Sequence, residues 1–287
     1  MSDIDHVAVL GLGPVGVEFV EAATRAGRTV TVVETDGEQL RRGLEALADS
    51  MAAAVSAGAL TEQARSEALD RVVSSTEPSE LGKATLVLEA VAAGGDAKRA
   101  ALREAAAVVG ADVAIITVTS GQSVTELAAA VPDPARVVGL HVPSTGSSSR
   151  IVEVVRGLAS GDAVVGAAAD FVGSVEREPV VVDDRPGFLV DSMLLPYLND
   201  VVQAYDDELA SAEDIDVAIR LGLGHPVGPL EMLDRIGLDT HRDTTALVHE
   251  ATGDARFAPP PLVNRMVAAG RLGDKNGRGF RSTEETA

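Results

Sequence analysis

Two regimes of apolar and polar positions divide this chain. Over its first part, short apolar runs rich in β-branched residues recur between longer stretches whose apolar positions fall at helical spacing. The runs are "HVAVLGLG", "RTVTVVE", "ATLVLEAV", "AIITVTS", "RVVGLHV" and "PVVVD". Each predicts a strand buried on both faces, and their alternation with helices predicts repeated βα units around a parallel sheet. Between the second and third runs, the polar and alanine-rich segment 37–73 predicts two helices that form an excursion from this repeat. From "DDRPGFLVDSMLLPYLNDVVQAYDDELAS" onward the strands stop. The segments "SAEDIDVAIRLGLG", "GPLEMLDRIGLDTHRDTTALVHEATG" and "PPLVNRMVAAGRLG" follow turn or capping residues and carry helical spacing. A domain boundary is expected near Arg185, with 1–184 an α/β domain and 185–287 all helical.

The first run ends in three glycines, Gly11, Gly13 and Gly16, and leads into a helical stretch with Val17, Phe19, Val20 and Ala23 on one face. In a strand-to-helix turn each glycine has a task. Gly11 permits the tight turn, Gly13 lets a pyrophosphate approach the backbone, and Gly16 lets helix and strand pack closely. The expected cofactor loop therefore runs through Gly11, Gly13, Pro14, Val15 and Gly16. Glu34 ends the second run, 18 residues beyond Gly16, near the spacing at which a carboxylate meets the adenosine ribose hydroxyls. It would repel a 2′-phosphate, so the cofactor expected is NAD. The competing reading is a turn in another α/β fold, with Glu34 a solvated loop charge. The fold class expected is a Rossmann-type parallel sheet with a helical excursion, joined to an all-helical C-terminal domain.

Composition narrows the function. The 287 residues are 46% hydrophobic, ample for a core, yet no apolar run approaches the roughly 20 residues that span a bilayer. The N-terminal "MSDIDH" lacks the basic and then apolar opening of a secretory signal, so a cytoplasmic location without membrane attachment is expected. There are no cysteines, and the five histidines are scattered, so no metal site is expected. Redox chemistry must then rest on an organic cofactor. A formal charge of −20 disfavours nucleic-acid binding, a redox-sensing DNA regulator included.

Taken in order and spacing, "GLGPVG", "LVLEAV", "TSGQSVTELAAAVPDPARVVGLH", "IVEVVRG", "PVVVDDRPGFLV", "ASAEDIDVAIRLGLGHPVGPLEMLDRIGLDT" and "PPPLVNRMVAAGRLGDKNGRGF" resemble the L-3-hydroxyacyl-CoA dehydrogenase family nearly end to end. The resemblance implies that His141 is the general base and that Glu153, twelve residues on, orients it. The chemistry agrees, because imidazole titrates near neutral pH and a carboxylate fixes its tautomer and stabilises imidazolium. Ser120 matches the serine that hydrogen-bonds the substrate oxygen, and Glu89 and Lys98 match positions near the nicotinamide ribose. Taken alone, His141 reads as a structural strand-end histidine, Ser120 as a helix cap, and Glu89 and Lys98 as solvated loop charges. The substrate implied is a 3-hydroxyacyl thioester, on coenzyme A or a carrier protein, or a related hydroxy acid. A homodimer through the helical half is implied too, with "GFLVDSMLLPYL" either its surface or ordinary core.

Several positions depart from the family. Where it usually reads Asn-Thr-Ser-Ser this chain has Val118, Thr119, Ser120 and Gly121, and where it reads His-Phe-Phe-Asn-Pro this chain has "HVPST", with Ser144 at the asparagine. Asp191 and Ser192 replace an asparagine and arginine, and Ala57 stands where a lysine commonly meets the coenzyme A phosphate. The changes remove amide donors, and a charged Asp191 would oppose negative charge on the substrate oxygen. Asp191 is then a protonated donor, a determinant for another substrate, or a mark of impaired catalysis. In the last case the chain is a repurposed NAD-binding protein.

Overall fold

The computed structural model describes residues 5–92, 94–143 and 150–281. They form two compact units, one running to His141 and resuming over Arg150–Asp184, the other starting again at Arg185.

The first unit is built on eight strands: β1 (His6–Leu10), β2 (Thr29–Val33), β3 (Val72–Ser75), β4 (Leu86–Glu89), β5 (Ala114–Val118), β6 (Val137–His141), β7 (Ile151–Arg156) and β8 (Glu178–Asp183). They lie in one sheet in the order β3-β2-β1-β4-β5-β6-β7-β8. The first six are parallel; β7 runs antiparallel to β6 and parallel to β8. The central strands are buried throughout because both faces carry apolar side chains: Val7, Ala8, Val9, Val87, Leu88, Ile115 and Ile116 are all inaccessible. Each buried Val, Leu or Ile contributes about 1.5–3 kcal/mol of transfer free energy, so their concentration in short runs selects this layer as the core. Helices α1 (Pro14–Arg25), α2 (Gly37–Ser56), α3 (Glu62–Leu69), α4 (Gly95–Val108), α5 (Val124–Ala128) and α6 (Asp162–Ser174) connect the strands. Phe19 of α1 stacks on Phe171 of α6 with ring centroids 6.1 Å apart.

Two strands go beyond the pattern. The tail of segment 37–73 is not helical: α3 ends at Leu69, and Val72–Ser75 pairs with β2 in the register Val30↔Val72. Two valines are too short a run to signal a strand; the open edge of β2 makes it one. Ile151–Arg156 also forms a strand, although an acid stands in its middle.

The second unit is helical: α7 (Val190–Asp206), α8 (Ala212–Leu223), α9 (Pro229–Ile236), α10 (Leu238–Thr252) and α11 (Pro261–Ala268). Leu198, Val202, Leu230, Leu233, Leu238 and Val263 form its core. The segment that begins "GPLEMLDRIGLDT" holds two helices, broken at Gly237, whose φ of +95° suits glycine. Within "GFLVDSMLLPYL", Leu195 and Leu198 are buried, whereas Met193 is 70% exposed. No helix among the described residues is long and apolar enough to cross a membrane.

Candidate active site

Parallel strands deliver their C-terminal ends to one edge of the sheet, and loops there are where α/β proteins bind ligands. Gly11, just past β1, has φ +96°, and a Cβ there would lie 2.9 Å from the Val91 amide nitrogen. A Cβ on Gly16 would lie 2.2 Å from the Gly11 carbonyl oxygen. Both glycines are therefore required by the protein's own packing. Gly13 differs, for a Cβ there would meet only Ala92 Cβ, at 3.5 Å. It caps α1 with no side-chain hydrogen bond, and Pro14 and Val15 after it are exposed. The first turn thus offers amides and open space to an anion, the cradle a dinucleotide pyrophosphate needs.

Glu34 is half-buried beside this turn, not solvated. Its Oε2 accepts from the Leu12 amide at 3.2 Å and its Oε1 from the Asp36 amide at 3.3 Å. The carboxylate is thereby fixed at the end of β2 against the glycine loop.

Glu89 and Lys98 are not loop charges in water either, because both are buried and joined to each other. Glu89 Oε1 accepts from Lys98 Nζ and from the Val91 amide, each at 2.8 Å, and Oε2 accepts from the Thr117 hydroxyl at 2.6 Å. Lys98 Nζ also reaches the Val91 carbonyl at 3.3 Å. A buried ion pair of this kind holds only when its remaining lone pairs and protons are satisfied. Here it braces the loop after β4 that presses on Gly11.

His141 ends β6, and the antiparallel register sets Glu153 of β7 directly opposite it. Nδ1 lies 2.6 Å from Glu153 Oε2, and both side chains are almost wholly buried. A carboxylate accepts only, so Nδ1 carries the proton and Nε2 is the basic nitrogen of the neutral ring.

Ser120 follows β5 and is exposed. It does not cap the next helix: Ser123 does, accepting from the Glu126 amide at 3.2 Å. Val118 pairs with Leu140 in the β5–β6 register, so Ser120 and His141 emerge just past the same pair on adjacent strands.

Asp191 is buried in the first turn of α7, in the helical unit. Ala57 ends α2 and is exposed, and Ser144 falls outside the described residues. Three partners escaped the linear reading: Thr117, the Leu12 amide and Asp184, which meets Ser123 across 61 residues. Only the sheet order brings them close, so no local spacing signals them.

Comparison with known proteins agrees across the whole length. Residues 6–185 match the family model described as 3-hydroxyacyl-CoA dehydrogenase, NAD binding domain, and residues 187–283 its C-terminal domain. A 3-hydroxybutyryl-CoA dehydrogenase of Mycobacterium tuberculosis is 37% identical over 283 residues, covering 98% of this chain and 99% of the relative. Another from Bradyrhizobium diazoefficiens is 34% identical over 277 residues, 96% of this chain and 94% of the relative. The crystal structure of (S)-3-hydroxybutyryl-CoA dehydrogenase from Ralstonia eutropha superposes with a TM-score of 0.90 at 32% identity, over 98% of this chain and 99% of that one.

Proposed function

This chain belongs to the 3-hydroxyacyl-CoA dehydrogenase family, and from that premise we propose that it interconverts a 3-hydroxyacyl-CoA thioester and its 3-oxo form with NAD. The observation that carries the reading is the buried His141–Glu153 pair at the C-terminal edge of the sheet. NAD, when bound, supplies the acceptor for the hydride leaving C3. Nε2 of His141 takes the hydroxyl proton in oxidation and returns it in reduction. Glu153 holds the ring by its Nδ1 proton and stabilises the imidazolium, more strongly in this dry setting than in water. Ser120 donates to the substrate oxygen. Gly13 and the first turn of α1 receive the pyrophosphate, Glu34 the adenosine ribose hydroxyls, and the Glu89–Lys98 brace keeps the facing loop in place.

Two finer points belong to the same reading. Ala57, in place of a phosphate-binding lysine, removes one anchor for coenzyme A, so short acyl thioesters bind with a high KM. The helical unit pairs two copies of the chain, supported by the exposed Met193, Leu209 and Leu221.

The test is NADH formation from NAD and a panel of short 3-hydroxyacyl-CoA thioesters, followed by absorbance. Turnover on one or more supports the assignment; NAD binding with no turnover on any overturns it.

A further inference from the structure

Ser120 sits on a loop of five residues between β5 and α5, and a helix of five residues has little stability of its own. Something else must hold that loop. Its near end is tied by the Thr119 amide, which donates to the Leu140 carbonyl at 2.9 Å, and by the Thr119 hydroxyl, which accepts from the Gln122 amide at 2.9 Å. Its far end is tied by one carboxylate, Asp184. Oδ2 accepts from the Ser123 hydroxyl at 2.8 Å and the Thr125 amide at 2.7 Å, and Oδ1 accepts from the Val124 amide at 3.1 Å.

Ser123 already caps α5 through the Glu126 amide, so a second cap is not needed to satisfy that amide. Asp184 instead takes the proton of the cap itself and the amides of Val124 and Thr125. It is delivered from the residue after β8, where its own amide donates to the Arg156 carbonyl at 3.0 Å. The sheet thus reaches back across β7 and β6 to grip the loop after β5. Charge-assisted bonds of this kind are about twice as strong as neutral ones.

We propose that Asp184 is a positioning residue for Ser120, fixing the loop from which the serine addresses the substrate. The inference rests on the role assigned to Ser120 above. Asp184→Asn keeps the side chain's shape but turns one acceptor into a donor facing an amide or hydroxyl. A serine displaced by about 1 Å costs up to roughly a hundredfold in rate, so a 10- to 100-fold fall in kcat is expected.

The experiment is a double-mutant cycle of Asp184→Asn and Ser120→Ala, measured as kcat and KM with 3-hydroxybutyryl-CoA and as NAD affinity by calorimetry. A residue acting through Ser120 loses its effect once the hydroxyl is gone, so Asp184→Asn in the Ser120→Ala background should cost less than twofold, with NAD affinity unchanged. Losses that multiply, or a normal rate in Asp184→Asn, overturn the proposal while leaving Ser120's role intact. A normal rate in Ser120→Ala overturns both. Should Asp184→Asn fail to fold, Ser123→Ala removes one of the three bonds to Asp184, along with the α5 cap, and must show the same coupling, with a severalfold loss that disappears without the Ser120 hydroxyl.

Discussion

His141 and Glu153 face each other across the β6–β7 pair, with Nδ1 2.6 Å from Oε2 and almost no access for solvent. The reversal of strand direction at β7 is what makes this contact, since antiparallel register puts a residue and its acid partner at one level. Glu153→Gln keeps an acceptor for Nδ1 and removes the charge that stabilises imidazolium. A fall in kcat on the order of a hundredfold is expected, with NAD affinity unchanged in calorimetry.

Glu34 accepts from the Leu12 amide at the edge of the glycine loop, which fixes an anion where the adenosine ribose would lie. NAD should therefore bind at least about a hundredfold more tightly than NADP, and Glu34→Gln should narrow that gap. Calorimetric titration with both cofactors checks it; equal affinities in the unaltered protein would contradict this role.

Lys98 and Glu89 form a buried pair, so Lys98→Met strands a carboxylate in the core. The cost expected is about 3–5 kcal/mol of stability, and the double change Lys98→Met with Glu89→Gln should recover most of it. Urea unfolding of the unaltered protein and the two variants measures both numbers.

His241, buried in the helical unit, donates through Nε2 to Asn199 Oδ1 at 2.9 Å, since the Asn199 amide group is committed to the Arg256 and Ala258 carbonyls. Burial pushes its pKa down to about 4. The unfolded chain takes up a proton near pH 6.5 and the folded one refuses it until about pH 4, so this group's stabilising contribution is full above 6.5 and is lost as pH falls. Between pH 6.5 and 5 the loss should be on the order of 2 kcal/mol. Asp216 and Asp234, both raised by burial, act in the opposite direction. His241→Gln keeps the donor without titrating, so the stability difference between the two proteins should shrink or invert as pH is lowered. A difference independent of pH would refute this account.

Much of the fold was legible because burial writes itself into local pattern. Runs such as "HVAVL" and "TLVLEAV" are apolar on both faces, and Gly11 and Gly16 mark a turn whose close approaches leave no room for a Cβ. Less legible were features decided by partners distant in sequence. Val72–Ser75 is a strand because β2 offers an edge, and Ile151–Arg156 conceals Glu153 inside an apolar run. Apart from the family resemblance, Glu89 and Lys98 read as ordinary charges until Thr117 and the Val91 amide close around them. The pairing of His141 with Glu153 needed the family resemblance, for a gap of twelve residues does not by itself reveal a reversal of strand direction.

The most direct test of the central claim is the rate of NADH formation from 3-hydroxybutyryl-CoA in His141→Ala, with NAD affinity measured on the same preparation. Removing the general base should lower kcat by roughly 100- to 10,000-fold while NAD binds as before. A His141→Ala protein that oxidises the thioester at the unaltered rate would show that the buried His141–Glu153 pair is structural and that the base lies elsewhere.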